Sequence, residues 1–315
     1  MPPVLRPRLW VLGLCALTAA GCERAESPPT TDTSAAHQLP VPEDTLALTP
    51  AGTGWNPEAG AALLVAGESP QYASVVLPDA TGALSDTLTL DASVIADSRV
   101  DLFSRTGRVG AGYVAGVLQP TSGDCVAWPY VRVIPDAKVP PNATWTLALL
   151  EGAAAPLPAD SMGALSRGDS IRFSAEILRL ASRIRDDAAQ DFRGLPFVAR
   201  TIFRFRPEPG IEALVSDVVR RISTEANPRE EHTLLVAERD SASSEPFERV
   251  YHERTSGPEE TVIASDALAM LSIGDDRRPT LVISRDNGSG TVYSLLERVG
   301  PRQWRVRWSS AYAGC

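Results

Sequence analysis

The sequence predicts a mainly β protein of the α+β type, with two antiparallel β units linked by an amphipathic helix and sheets arranged as a sandwich or barrel. Three observations support this fold class. Short apolar runs recur between turns that contain Gly and Pro. The segment Gln303 to Trp308 alternates strictly between polar and apolar residues, as a strand with one buried face does. One stretch, Pro156 to Asp187, instead has helical spacing of its apolar residues.

Composition and charge exclude several classes of protein. The chain has 315 residues, of which 43% are hydrophobic, enough for one large domain or two small ones. An ordinary disordered chain, a collagen and a polytopic membrane protein do not fit this composition. The formal net charge is -9. Because phosphate binding needs a basic surface, we expect no nucleic-acid partner.

The first residues have the pattern of an export signal. Arg6 and Arg8 precede an apolar run from Leu9 to Ala20, which is shorter than the about 20 residues that a membrane-spanning helix needs. We therefore predict a signal peptide at residues 1–21. This signal peptide could be of the ordinary kind, cut near Ala20, which would leave Cys22 as a plain thiol; the alternative is a signal that is cut directly before Cys22.

The end of this segment, Ala19-Ala20-Gly21-Cys22, resembles the lipobox of bacterial lipoproteins. The resemblance implies that the signal is removed before Cys22 and that a diacylglycerol is attached to its sulfur, so that the membrane lipid is a partner. It places the protein in the bacterial cell envelope. Glu23 follows the cysteine, which in this family favours the outer over the inner membrane.

Residues 22–57 are predicted to be a flexible linker, because their Pro, Thr, Ser and Ala residues cannot bury enough apolar area to offset the ordering entropy. An N-terminal β unit is predicted at 58–155. Its candidate strands are 62–66, 72–77, 84–90, 99–103, 109–118, 130–134 and 144–150.

Residues 156–187 are predicted to be a helical connector. Ile177, Leu180 and Ile184 lie on one face of the predicted helix, and Asp169 or Ser170 is the expected N-cap.

A C-terminal β unit is predicted at 188–315. Residues 211–222 fit a strand or a short helix equally well, because helical spacing is combined with β-branched residues. Asp286 to Gly290 is predicted to be a hairpin turn. In the last strand, Trp304, Val306 and Trp308 are expected to share one face.

The cysteines predict one disulfide. Cys15 lies in the signal and Cys22 is the lipidation site, which leaves Cys125 and Cys315. In an oxidising envelope two remaining cysteines usually pair. The alternative is two separate thiols.

Catalytic and metal-binding patterns are weak in this sequence. His232 and His252 are the histidines of the predicted body, and either is a candidate for an alternative function, an envelope hydrolase. The sequence lacks a Gly-x-Ser-x-Gly elbow, and we assign no catalytic residue, no metal and no cofactor.

The segment 273–283 contains Gly274-Asp275-Asp276 before an apolar run and faintly resembles the FG-GAP-like repeat of extracellular β-propellers. That resemblance implies a calcium-binding loop and a calcium-stabilised, adhesion-like module as a further alternative. The spaced Asp ligands of such loops are absent and two arginines are present. An ordinary turn is the competing interpretation.

A candidate binding face is predicted near the C-terminus, formed by Arg285, Glu297, Arg298, Trp304 and Arg307. Arginines combined with aromatic residues are typical of surfaces that recognise carboxylates or sugars. The alternative is that the aromatic side chains are core and the arginines are rim. The leading functional hypothesis is a non-catalytic binding or structural role, with an envelope protein or a glycan as the partner.

Overall fold

The computed structural model describes residues 63–67, 71–76, 95–118, 128–184, 190–223, 227–243, 245–274, 276–310 and 312–314. All of them belong to one compact unit, Thr45–Cys315. The predicted signal peptide and linker lie outside the described residues, and so do Cys22, Cys125 and Cys315. The mainly β prediction is confirmed, and both a barrel and a sandwich are present.

The first six strands close into an antiparallel barrel in the order β1-β2-β5-β4-β3-β6. They are β1 (Leu63–Ala66), β2 (Tyr72–Val76), β3 (Arg99–Ser104), β4 (Gly107–Leu118), β5 (Tyr130–Pro135) and β6 (Leu147–Leu150). Side chains alternate along each strand. In β3, Val100 and Leu102 belong to the barrel core, whereas Phe103 belongs to a cluster outside it.

The remaining strands form two antiparallel sheets. They are β7 (Ala154–Pro156), β8 (Ala159–Ser161), β9 (Val198–Phe205), β10 (Ile211–Ile222), β11 (Arg229–Asp240), β12 (Glu248–Pro258), β13 (Ala264–Ile273), β14 (Arg278–Asp286), β15 (Gly290–Gly300), β16 (Gln303–Ser309) and β17 (Ala313–Gly314). Sheet I has the order β12-β11-β10-β9-β8, and sheet II has the order β16-β15-β14-β13-β7. The short β17 pairs with β15.

Apolar side chains join these parts into layers. Sheets I and II pack face to face as a sandwich, with Val215 and Val236 of sheet I in one cluster with Leu281 of sheet II. The other face of sheet II packs on the barrel, where Val282 shares a cluster with Phe103. The other face of sheet I is covered by a helix. The central strands of sheet II, β13 to β15, are therefore buried on both faces, which explains their nearly continuous apolar runs.

The predicted helix is present as α1 (Arg167–Ala181). Its buried side chains are Phe173, Ile177, Leu180 and Ala181, and they pack on sheet I. None of the described helices is both long and apolar enough to span a membrane.

The predicted N-cap, Asp169 or Ser170, is wrong, because the helix begins earlier in the chain. Ser166 is the N-cap, and its Oγ accepts a hydrogen bond from the Asp169 backbone N–H at 3.1 Å. Asp169 occupies the third helical position and accepts a hydrogen bond from Ser166 Oγ at 2.9 Å. Asp169 therefore supports the cap from inside the first turn, where a carboxylate is also favoured by the helix dipole.

The ambiguous segment 211–222 is a strand, β10, paired with β9 on one side and with β11 on the other. Its side chains are almost all buried. Leu214 and Val218 face the helix, and Val215 faces sheet II. Because both faces of the strand are covered, its sequence shows no alternation.

The last strand is present as β16, but its two tryptophans do not share a face as expected. The register between β15 and β16 shifts between Leu295 and Leu296. Trp304 lies in the sandwich core, whereas Trp308 packs against the cluster between sheet II and the barrel. An extra residue in one strand moves the following side chains to the opposite face, and the alternating sequence does not reveal this.

Candidate functional site

Charged side chains line one end of the sandwich. Val215 of β10 and Val236 of β11 point at sheet II. Because side chains alternate along a strand, Asp217 of β10 and His232 and Glu230 of β11 point the same way, towards this end of the sandwich. Here the two sheets enclose a cleft of about 310 Å³. We call it the His232 cleft. It is lined by Arg200, Arg221, Glu230, His232, Glu259, Glu260, Val262, Ala264, Asp286, Asn287 and Gly288.

His232 is held between two carboxylates at the bottom of this cleft. Its Nδ1 lies 3.1 Å from Asp217 Oδ2, and its Nε2 lies 2.8 Å from Glu230 Oε2. The side chain is 3% exposed. Burial by itself lowers the pKa of His232, but hydrogen bonds and charge attraction from Asp217 and Glu230 outweigh it, and the pKa is raised above 6.5. A ring protonated at both nitrogens satisfies both of these carboxylates and then has no lone pair with which to take a proton from a nucleophile.

Two arginines lie above these carboxylates. The Arg221 guanidinium pairs with Glu230, and Arg200 Nη1 is 3.5 Å from Asp217 Oδ2. Both arginine side chains are 55% exposed. Burial raises the pKa of Glu230, yet the hydrogen bonds from His232 and Arg221 lower it more, and the net pKa is below its usual value. Every buried carboxylate of this group thus has a cationic partner, as buried charges require.

We predict that the free energy of unfolding decreases as the pH rises through the raised pKa of His232. The folded state binds this proton more tightly than the unfolded state, so its contribution is complete below pH 6.5 and is lost at higher pH. His232→Gln removes the titrating group. Its unfolding free energy, measured with urea from about pH 5 to pH 9, is expected to be lower at the acidic end and less dependent on pH.

His252→Gln is the matched control for this experiment. His252 lies on β12 at the surface, and the partial burial of its ring, together with the charges of Arg249 and Arg254, lowers its pKa. A group of this kind destabilises the fold at low pH and has no effect at high pH. The alkaline loss should therefore persist in His252→Gln. If His232→Gln lost as much unfolding free energy at alkaline pH as the parent does, the loss could not be assigned to His232.

The structure brings together two residues of the predicted binding face, Arg298 and Trp304, inside the protein. Glu238 of β11 accepts hydrogen bonds from Arg298 Nε at 2.8 Å and from Trp304 Nε1 at 2.5 Å. All three side chains are buried in the sandwich. Arg298 Nη1 also lies 2.6 Å from the half-exposed Glu208. This cluster connects sheets I and II, so its charges stabilise the packing of the two sheets against each other.

Glu297 and Arg307 lie on the opposite face of sheet II. Glu297 is buried and accepts hydrogen bonds from Arg278 Nη1 at 3.0 Å and from the exposed Arg307 Nη1 at 3.2 Å. Neither contact involves Arg298 or Trp304, since neighbouring residues of a strand point to opposite faces.

Arg285 belongs to a third group, which joins β14 to β12. Its Nε and Nη2 donate to the Glu253 carboxylate at 2.9 and 2.6 Å, and the Tyr251 hydroxyl donates to the same carboxylate at 2.9 Å. Burial and the Glu253 charge raise the pKa of Tyr251 to about 12. The five predicted residues thus fall into three ion-paired groups, and their role in binding remains a prediction.

The segment that resembles a calcium loop is the turn between β13 and β14. Arg277 N–H donates to Gly274 O at 3.2 Å, and Asp276 Oδ2 lies 2.8 Å from Arg278 Nε. Asp275 lies outside the described residues. Within the part of the chain that the structure describes, three or more His, Cys, Asp or Glu side chains nowhere converge in a way that could hold a metal ion.

Sequence reasoning missed the carboxylates that organise these sites, namely Asp217, Glu230 and Glu238. A signal was present for Asp217, which lies between β-branched apolar residues of a strand that is buried on both faces, whereas Glu230 and Glu238 have charged neighbours in the sequence. An ionised carboxylate at such a position needs a partner. The sequence does not indicate which cation supplies it.

Comparison with protein-family models, with curated proteins and with solved structures gave no match to this chain.

Proposed function

We propose that this chain is a lipid-anchored protein of the bacterial cell envelope with a non-catalytic binding or structural role. The observation that carries the proposal is the apolar run Leu9 to Ala20 followed by Gly21-Cys22. Acylation of Cys22 joins the protein to membrane lipid, and two or three chains hold it firmly where a single chain does not. Glu23 favours the outer over the inner membrane as the location.

The contacts of the described residues support a non-catalytic role. A histidine that acts as a general base needs a free lone pair next to the proton it removes. His232 instead faces a carboxylate at each ring nitrogen. The charged neighbours that shift the pKa of His252 are arginines, whereas a catalytic histidine is oriented by a carboxylate, and no described residue supplies one to His252. The hydrolase alternative therefore gains no support from either residue.

The surface of the His232 cleft supports recognition of a polar partner. Arg200 and Arg221 are half-exposed at its rim, next to the carboxylate of Glu259. A rim with both signs of charge suits a partner that offers both hydrogen-bond donors and acceptors, as an envelope protein or a glycan does.

The anchor is tested by replacing Cys22 with Ser. In cells fed an alkyne-bearing fatty acid, the parent protein is expected to carry the label and to begin at Cys22, as read from the mass of its N-terminal peptide. Cys22→Ser is expected to lose the label, because Ser offers no thiol for the thioether bond.

Cys15→Ser is the matched control, since it removes a thiol from the signal peptide and leaves Cys22 in place. It should be labelled like the parent. A parent protein that retains residues 1–21 and carries no fatty acid would overturn the proposed location and anchor together.

A further inference from the structure

The turn between β14 and β15 places three reacting groups together. Asp286 Oδ1 accepts a hydrogen bond from the Gly288 backbone N–H at 2.6 Å. The side-chain oxygen of Asn287, Oδ1, accepts hydrogen bonds from the backbone N–H groups of Ser289 at 3.1 Å and Gly290 at 2.9 Å. The turn is closed by a backbone hydrogen bond from Asn287 N to Gly290 O at 3.2 Å.

These contacts match the needs of an attack by a backbone nitrogen on a side-chain amide. The nucleophile is the nitrogen of Gly288. Its N–H already donates a hydrogen bond to the Asp286 carboxylate, which is therefore in the position of a general base. The amide oxygen of Asn287 is where negative charge develops. Two N–H donors at about 3 Å from such an oxygen form an oxyanion hole. Gly288 has no side chain to shield the amide, and its φ of +79° is one that other residues rarely adopt.

We propose that Asn287 is a site of self-catalysed deamidation in the folded protein. The Gly288 nitrogen bonds to Cγ of Asn287 and gives up its proton to the Asp286 carboxylate. The tetrahedral intermediate collapses as the bond from Cγ to Nδ2 breaks. Asp286 returns the proton to the departing nitrogen, which leaves as ammonia, and a five-membered succinimide remains. A water molecule then opens either carbonyl–nitrogen bond of this ring, which yields aspartate or isoaspartate at position 287.

The product changes the charge of the His232 cleft, because Asn287 is one of the residues that line it. Deamidation replaces a neutral amide by a carboxylate next to Asp286. An additional negative charge at this mouth attracts the half-exposed Arg200 and Arg221 and repels an anionic partner. Isoaspartate also inserts one CH₂ group into the backbone of the turn and alters its closure.

The other asparagines of the chain lack this arrangement. Asn56 and Asn227 are followed by proline, which has no N–H to give up. Asn142 is followed by Ala143, whose N–H donates to the carbonyl oxygen of Pro140 at 2.9 Å rather than to a carboxylate. Asn142 is therefore an internal reference for ordinary deamidation.

The test follows the peptide that contains residue 287 by mass spectrometry after incubation of the full chain in H₂¹⁸O. We expect this peptide to gain the mass of an acid plus ¹⁸O, and the peptide with Asn142 to remain an amide. The decisive comparison is with the same chain unfolded in urea. The folded chain should react at least about tenfold faster at position 287, since positioned general acid–base catalysis contributes about 100-fold or more.

Two variants separate catalysis by Asp286 from the ordinary reactivity of an Asn-Gly pair. Asp286→Ala should slow the folded chain to about the rate of the unfolded one. Asp286 Oδ2 also accepts a hydrogen bond from Thr291 Oγ1 at 2.6 Å, so Thr291→Val is the matched control that disturbs the turn and keeps the base. It should react at least as fast as the parent.

Either of two results would overturn the proposal. One is a folded chain that keeps the amide at position 287 while the unfolded chain loses it, which would mean that the turn protects Asn287. The other is an Asp286→Ala variant that reacts as fast as the parent. The first comparison needs no variant, so it decides the matter even if a substitution prevents folding.

Discussion

Glu231→Gln is expected to lower the free energy of unfolding by about 3–5 kcal/mol. Arg220 of β10 and Glu231 of β11 are directly opposite in the sheet, and their side chains are 1% and 0% exposed. Arg220 Nε and Nη2 lie 2.8 and 2.7 Å from Glu231 Oε1. Removing the carboxylate charge takes away the ion pair that Glu231 makes with a fully buried guanidinium, and this accounts for most of the loss.

The surroundings of Arg220 prevent it from escaping to water. Its Nη1 donates to the backbone oxygen of Phe192 at 2.9 Å, and its guanidinium lies 4.6 Å from the centre of the Phe197 ring. A charge packed in this way cannot regain its hydration unless the helix side of sheet I opens. The unfolding should therefore remain cooperative in the variant.

Chemical denaturation of the parent and of Glu231→Gln measures the effect. Glu248→Gln is the matched control, because Glu248 pairs with Arg302 at 2.6 Å but its side chain is 55% exposed. Exposed pairs contribute about 0–1 kcal/mol. If Glu231→Gln lowers the free energy of unfolding as little as Glu248→Gln does, the buried pair does not stabilise the fold as its contacts indicate.

Much of the secondary structure could be predicted from the sequence, because it depends on local patterns. The apolar spacing around Ile177 predicts α1, and Asp286 to Gly290 predicts the hairpin turn that joins β14 to β15. Local patterns do not determine which strands pair. β1 closes the barrel by pairing with β6, and β7 joins β13. Such contacts between distant parts of the chain depend on which faces are buried together.

The candidate site was less accessible to sequence reasoning than the fold. His232 is identified as a candidate, and Glu230 lies two residues before it on the same strand, but its other partner, Asp217, becomes visible only when β10 and β11 are placed in register. Arg298 and Trp304 are predicted together, yet Glu238, which joins them, lies on another sheet. Opposite charges in separate strands predict a pair only after the strand order is known.

The second large effect concerns the predicted disulfide between Cys125 and Cys315. Both cysteines lie outside the described residues, and Trp128 and Ala313 are described residues near them in the sequence. The buried Trp128 belongs to the cluster between sheet II and the barrel, and Ala313 packs against the same cluster. Ala313 is also held in place by pairing with Thr291. The pairing of Cys125 with Cys315 stays a prediction from the sequence.

Cys125→Ser is expected to lower the free energy of unfolding by up to about 5 kcal/mol, because the bridge would close a loop of more than half the chain and restrict the unfolded state. Non-reducing mass spectrometry of a proteolytic digest should find the two cysteine peptides linked. Two free thiols would end the prediction.

The comparison of single and double substitutions separates a bridge from two independent buried thiols. If the sulfurs are bonded, Cys125→Ser removes the cross-link completely, and adding Cys315→Ser costs little more. If the thiols are separate, each substitution carries its own packing cost and the two losses add, as they do for distant sites. A reductant should reduce the stability of the parent to that of the double variant and leave the double variant unchanged. The pairing would be contradicted if the stability losses of the two single variants added up in the double variant and the reductant left the stability of the parent unchanged.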